Sequence, residues 1–252
     1  MKSLLSTLAL LLSNIVLIYA CPSTGDIPAN YNVYRVCDDI KTPYFCPPNY
    51  KQRNLQTWQQ ETDLHIPLDH IEEVVYRYSS SMYEACMKKP QMAQKNKFVQ
   101  YLATGLGNAY PKKLLSLAKR VEEARSSKND PWYYPSSRED GNTTLDLLLC
   151  EVDELEQHFV ENVGNDSFYV KRLQLQRVRL LFSLGRYADC IELWENKVQH
   201  WDTNELMRSM IKDYIAGAYQ HLGEETIAKQ YHLEQGNYQT LAEWSSSRTG
   251  NY

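Results

Sequence analysis

The chain has 252 residues, with 31 acidic and 27 basic side chains and a formal net charge of -4. This balance argues against a nucleic-acid-binding protein, which would carry a basic face. The length suits one large domain or a short helical array. Tyrosine is heavily used, at 19 residues against 5 Phe and 5 Trp. Because tyrosine buries area while its hydroxyl tolerates water, these residues suit exposed grooves or wide seams between helices.

Residues 1–20 have the composition of a signal peptide. Lys2 supplies a positive charge, and Leu4–Ile18 is mostly apolar, which fits a secretory leader. The apolar stretch is shorter than the about 20 residues that span a bilayer. We therefore expect an exported protein. Its location would be the periplasm, the outer membrane or the cell surface if the chain is bacterial, and it would be secreted otherwise.

Cys21 directly follows the small residue Ala20 at the end of this leader. The junction resembles a bacterial lipobox, in which such a cysteine is lipidated, although Tyr19 and Ile18 depart from the usual residues. Two outcomes stay open: lipidation of Cys21, or ordinary cleavage after Ala20. A lipid on Cys21 is the only membrane attachment that we expect.

Residues 21–57 form a segment rich in proline and tyrosine. Its five prolines exclude a long helix, so we expect an irregular entry segment packed on the domain. Cys37 and Cys46 flank a short Pro-rich part of it and are the best candidate disulfide pair, since export permits disulfides. Three further cysteines lie on helical patterns and are expected to be small buried residues: Cys86, Cys150 and Cys190.

Apolar residues recur at helical spacing through the remaining domain, residues 58–252. Between Leu68 and Ala85 they fall on one helical face, with Pro67 in the first turn. We expect further helices over 92–104, after Pro111, and from Leu145 to Phe159, with a polar loop over 126–142. Because no stretch alternates with period two for long, we expect an all-α fold.

The last third of the chain contains two similar helix–turn–helix segments, predicted over 167–201 and 203–236. Gly185 and Gly223 each follow an amphipathic run and stand 38 residues apart in like surroundings. Glycine can close such a turn because it tolerates the left-handed backbone conformation. Similarity at this period is typical of a helical-repeat array.

The second segment resembles the tetratricopeptide repeat. Ile215 and Ala216 match the large-small pair of that motif, Tyr219 its aromatic residue, Gly223 its turn glycine and Ala228 the small residue of its second helix. The first segment matches at fewer positions, and Cys190 replaces the small alanine. The period is 38 residues rather than about 34. The resemblance implies a TPR-like α-solenoid, a right-handed array of antiparallel helical hairpins, behind the irregular N-terminal segment.

In the TPR-like geometry, side chains from the first helix of each segment face a groove: Arg172, Arg179, Asp213, Gln220 and His221. A preformed groove lowers the ordering cost of binding. We therefore expect a non-enzymatic scaffold that binds a protein or peptide partner there.

The whole chain is also similar to the N-terminal part of a group of uncharacterised exported proteins from Bacteroidetes-type bacteria. The likeness lies in the cysteine after the leader, the opening "YNVYRV", the loop "NDPWYYPS" and the helical segments. It implies no particular activity.

Three adjacent aromatic residues, Trp132, Tyr133 and Tyr134, stand between two prolines. They form either a binding loop, which would stack on a sugar or anchor a partner, or a buried plug at the end of the helical stack. A binding loop would support a second hypothesis, a cell-surface glycan-binding lipoprotein, by analogy with the starch-binding lipoproteins of the same bacteria.

The densest metal-capable cluster contains His65, Asp69, His70 and Glu73. Its spacing differs from that of an H-E-x-x-H site, and we expect a solvated polar face. The chain has no P-loop, no G-x-S-x-G elbow and no complete dinucleotide fingerprint. We therefore predict no catalytic residue, no metal and no cofactor. A third hypothesis, an exported hydrolase, would require His65, His70 and a carboxylate to meet in one cleft.

Overall fold

The computed structural model describes residues 50–104, 109–128, 138–201 and 206–234. These ranges are helical and contain no strand, which confirms the all-α prediction. Their α-helices, in chain order, are α1 (Tyr50–Glu61), α2 (Leu68–Glu72), α3 (Ser80–Lys88), α4 (Lys97–Thr104), α5 (Ala109–Lys128), α6 (Arg138–Val163), α7 (Phe168–Ser183), α8 (Tyr187–Asn196), α9 (Leu206–His221) and α10 (Glu225–Glu234). None of these helices combines the length and apolar character needed to cross a membrane.

Helix α1 begins inside the segment that was expected to be irregular. Residues 50–57 are helical, so the prediction is wrong for these positions. The prolines of that segment all precede Tyr50, and none of them blocks the helix. Leu55 and Trp58 are buried and anchor α1 in the core.

The single helical face predicted between Leu68 and Ala85 belongs to two helices. A π-helical turn, Glu73–Arg77, follows α2 directly, and the N–H of Tyr78 donates to the carbonyl of Glu73 at 3.1 Å. Tyr78 is extended, and Ser79 then begins α3 by accepting the N–H of Met82 on its hydroxyl at 3.2 Å. A serine N-cap is a strong helix start, so the chain breaks here although the apolar spacing continues.

Other boundaries also differ from the prediction, and α5 begins at Ala109 rather than after Pro111. Helix α4 begins at Lys97, not at 92, because the side chain of Asn96 accepts the N–H groups of Phe98 and Val99 at 3.0 and 3.1 Å. The run 126–142, expected to be a loop, is helical up to 128 and again from 138. Its polar residues therefore belong partly to the ends of α5 and α6.

The two C-terminal segments contain helices where they were predicted, with α7 and α8 inside 167–201 and α9 and α10 inside 203–236. Gly185 has φ +77° and Gly223 has φ +82°. After each glycine, an N–H donates to a carbonyl five residues back at 2.9 Å, from Arg186 to Leu181 and from Glu224 to Tyr219. This shared hydrogen bond is the Schellman helix ending.

One core connects helices that are distant in sequence. The ring of Trp58 packs edge-on against Phe98 of α4 at 6.2 Å and against Phe168 of α7 at 5.0 Å. The ring of Phe182 meets that of Tyr214 of α9 at 5.5 Å. Helices α1 and α4 therefore share one core with α7 and α9.

The described cysteines divide into two groups. Cys86 and Cys190 are buried, but Cys150 is exposed, so the prediction of a small buried residue is wrong at this position. The buried stripe of α6 contains Leu145, Leu148, Leu149, Val152 and Phe159. Cys150 falls off that stripe and faces solvent.

Candidate functional site

A cavity of about 440 Å³ lies among α1, α5, α7, α9 and the turn after α2. Its volume is within the range of small-molecule sites. Apolar side chains form much of its wall: Trp58, Val75, Leu114, Leu115, Leu175, Met210 and Tyr214. Helices α7 and α9 both line it, whereas its lining includes no residue of α8 or α10.

Arg172 forms part of this wall, as a largely buried side chain of α7. Its guanidinium carbon lies 4.6 Å from the ring centre of Trp58 and 4.3 Å from that of Phe168. It also donates a hydrogen bond to the side-chain oxygen of Asn54 on α1. Two aromatic faces and an amide thus fix the position of this cation in the wall.

Arg179 stands two helical turns further along α7 and also lines the cavity. It forms an ion pair with Glu122 of α5 and donates to the side-chain oxygen of Gln176 at 3.0 Å. Asp213 of α9 lines the cavity as well and is almost fully buried. The structure therefore brings three predicted groove residues, Arg172, Arg179 and Asp213, to one cavity.

The other two predicted groove residues lie elsewhere. Gln220 is partly exposed and His221 is exposed, and neither of them lines the cavity. The ring of His221 is parallel to that of Tyr187 at 4.4 Å and meets Phe182 edge-on at 5.6 Å. These contacts place His221 at the turn between α9 and α10, against the start of α8.

Lys119 of α5 is a site residue that sequence reasoning missed. Its side chain lines the cavity, and only 7% of the residue's surface is exposed. The amine donates to the carbonyl of Tyr78 at 2.8 Å and to that of Val75 at 3.4 Å. Burial lowers the pKa of Lys119 to about 8.

The π-helical turn explains why these carbonyls are available. Carbonyls in the last turn of a helix have no partner within that helix, and Ser79 starts a new helix immediately after Tyr78. Lys119 therefore caps the end of the turn. Lys119 follows the buried Leu115 by four residues, which puts both on one face of α5. That spacing is the signal that could have identified it.

Trp58 is the second site residue that was missed. It lies in the part of α1 beyond the proline-rich segment, and no pattern in the sequence joins it to α7. Its indole N–H has no hydrogen-bond partner among the described residues, although only 2% of its surface is exposed.

The cluster considered for a metal has other contacts. His65 Nδ1 lies 2.9 Å from a carboxylate oxygen of Asp63, and His70 accepts the N–H of Lys97 at 3.1 Å. Glu73 accepts a hydrogen bond from Asn96 at 2.7 Å. Over the described ranges, no group of three or more His, Cys, Asp or Glu residues is placed to hold a metal ion.

Several predicted features lie outside the described residues. They are the leader 1–20, the lipidation candidate Cys21, the disulfide candidates Cys37 and Cys46, and the aromatic residues Trp132, Tyr133 and Tyr134.

Comparison with known proteins gives no match to any protein-family model, curated protein or solved structure.

Proposed function

We propose that this chain is an exported, non-enzymatic helical-repeat scaffold that binds a protein or peptide partner. In this proposal, α7–α8 and α9–α10 are TPR-like antiparallel hairpins in a right-handed array. The partner lies along α7 and α9 and reaches the mouth of the cavity.

The observation that carries the proposal is the cavity lined by both α7 and α9. First helices of successive repeats line the groove in the TPR-like geometry, and here they supply Arg172, Arg179 and Asp213 to one wall. The equivalent endings at Gly185 and Gly223 support a repeated unit. Charged side chains beside apolar wall residues suit a peptide that has both apolar and polar side chains.

A random-peptide display library tests the proposal with the purified protein as bait. We expect the recovered peptides to share a sequence pattern. They should bind about tenfold more weakly, or about 1.4 kcal/mol less favourably, to a variant that carries Arg179→Ala and Gln220→Ala.

Thr226→Ala is the matched control, because Thr226 is exposed on α10 and lies outside the cavity. It should leave the peptide affinity unchanged. Failure to recover any peptide would contradict the proposal, as would peptides whose affinity is the same for the groove variant and the control.

A further inference from the structure

Lys119 is a buried cation of the cavity wall. Lys119 pairs with no carboxylate among the described residues; its amine meets two backbone carbonyls and, at 5.9 Å, the ring of Tyr83. A buried ammonium loses its hydration, and neutral carbonyls replace that loss only in part. The amine also has three donors, of which these carbonyls use two.

The other cationic side chains of the cavity wall already have partners within the protein. Arg179 is neutralised by Glu122, and Arg172 is held by Asn54 and between two aromatic rings. Arg77 pairs with Glu72 at 2.8 Å on the outside. Lys119 is therefore the position where the charge of a bound anion would be compensated.

The other residues of the cavity wall indicate which chemical group is attached to the anion. Leu114, Leu115, Leu175 and Met210 supply apolar surface, and Trp58 and Tyr214 supply aromatic surface. These residues suit an apolar body larger than a simple inorganic anion. The single charge of Lys119 compensates one carboxylate, whereas the second charge of a dianion such as a phosphate monoester would enter the cavity uncompensated.

We propose that the cavity binds a small amphipathic monocarboxylate, with its carboxylate on the amine of Lys119 and its apolar body against Trp58, Leu175 and Tyr214. This site lies behind the proposed partner surface and does not depend on it, because a small acid would bind in the absence of any peptide.

Titration calorimetry with a matched set of probes tests the site. The probes are phenylacetate, naphthalene-2-acetate and decanoate, each paired with its neutral primary amide. We expect at least one carboxylate to bind about tenfold more tightly than its own amide, since only the anion compensates Lys119. The test contains no peptide, so its result is separate from that of the library selection.

Lys119→Met keeps the length of the side chain and removes the charge. We expect it to fold, to melt at a higher temperature than the native protein, and to lose the preference for carboxylate over amide. Lys113→Met is the control on the same helix, because Lys113 is exposed, and it should retain the preference. Ala118→Phe places a ring in the cavity wall and should abolish binding of acid and amide alike.

The proposal would be overturned by no binding of any probe at millimolar concentration, by equal affinity for acids and amides, or by a carboxylate preference that persists in Lys119→Met. Binding to Ala118→Phe with unchanged affinity would place the probe outside the cavity and would also overturn it.

Discussion

Buried polar side chains distinguish this helical protein at the scale of single residues. Lys119 meets backbone carbonyls, and Arg172 is held between aromatic rings. His232 of α10 is fully buried, with no hydrogen-bond partner on either ring nitrogen among the described residues. Such groups cost free energy unless they are neutral or find a partner, so the two that can lose their charge, Lys119 and His232, make stability depend on pH.

His232 should make the protein less stable in mild acid. Burial lowers its pKa from 6.5 to about 4, so between these values the unfolded chain binds a proton that the folded protein excludes. The contribution of neutral, buried His232 to the free energy of unfolding is fully present above pH 6.5, and it is lost as the pH decreases toward 4. At about 1.4 kcal/mol for each pKa unit, the loss over the roughly 2.5 units between 6.5 and 4 is at most about 3.5 kcal/mol.

Urea unfolding at a series of pH values measures this effect. In His232→Phe, the free energy of unfolding should change much less between pH 6.5 and 4. His200→Gln, a change at an exposed residue, should keep the pH dependence of the native protein. A slope in His232→Phe equal to that of the native protein would show that other groups cause the acid sensitivity.

The described thiols should react at different rates. The thiolate is the reactive form, and burial raises the pKa of Cys190 to about 12 and also raises the pKa of Cys86. Cys150 is exposed. Alkylation of the native protein, mapped by mass spectrometry of its peptides, should label Cys150 first and the other two only after unfolding. Equal labelling of Cys190 and Cys150 in the native state would contradict this burial pattern.

At the scale of elements, the two helix endings at glycine could be predicted from the sequence. Gly185 and Gly223 end α7 and α9 as expected, because only glycine adopts positive φ without strain. The breaks at Ser79 and Asn96 were missed, since a side-chain cap can start a helix while the apolar spacing continues. The cavity wall could be predicted only in part: α7 and α9 lie in the two segments whose similarity suggested a groove, but nothing local joins Lys119 or Trp58 to them.

Replacing the turn glycines should cost backbone strain alone. An added Cβ would meet no atom within 4 Å at Gly185 or Gly223, so Gly185→Ala and Gly223→Ala should each destabilise the protein by about 1 kcal/mol through their positive φ. Gly141 in α6 is the matched control, because it is helical and its Cβ would also be free of contacts. Gly141→Ala should stabilise by roughly 0.5–1 kcal/mol. Thermal unfolding measures these effects. If the melting temperatures of all three variants shifted in the same direction, backbone strain at positive φ would not explain the cost of the Gly185 and Gly223 substitutions.

At the scale of the whole molecule, α1 contacts elements that a simple linear array would keep apart. In such an array each repeat touches only its neighbours, and its ends can unfold separately. Here Asn54 and Trp58 of α1 contact Arg172 and Phe168 of α7, and the cavity joins α1 to α9. We therefore expect the described helices to unfold as one cooperative unit.

Trp58 provides the test of this coupling. Trp58→Ala removes the ring that packs on Phe98 and Phe168 and should cost about 3–5 kcal/mol. Trp58→Phe keeps an aromatic ring and removes an N–H that has no partner among the described residues, so its cost should be clearly smaller. In hydrogen exchange, Trp58→Ala should lower protection in α7 and α9 as well as in α1, because they share one core. Loss of protection confined to α1 would show instead that α7 and α9 are stable without it.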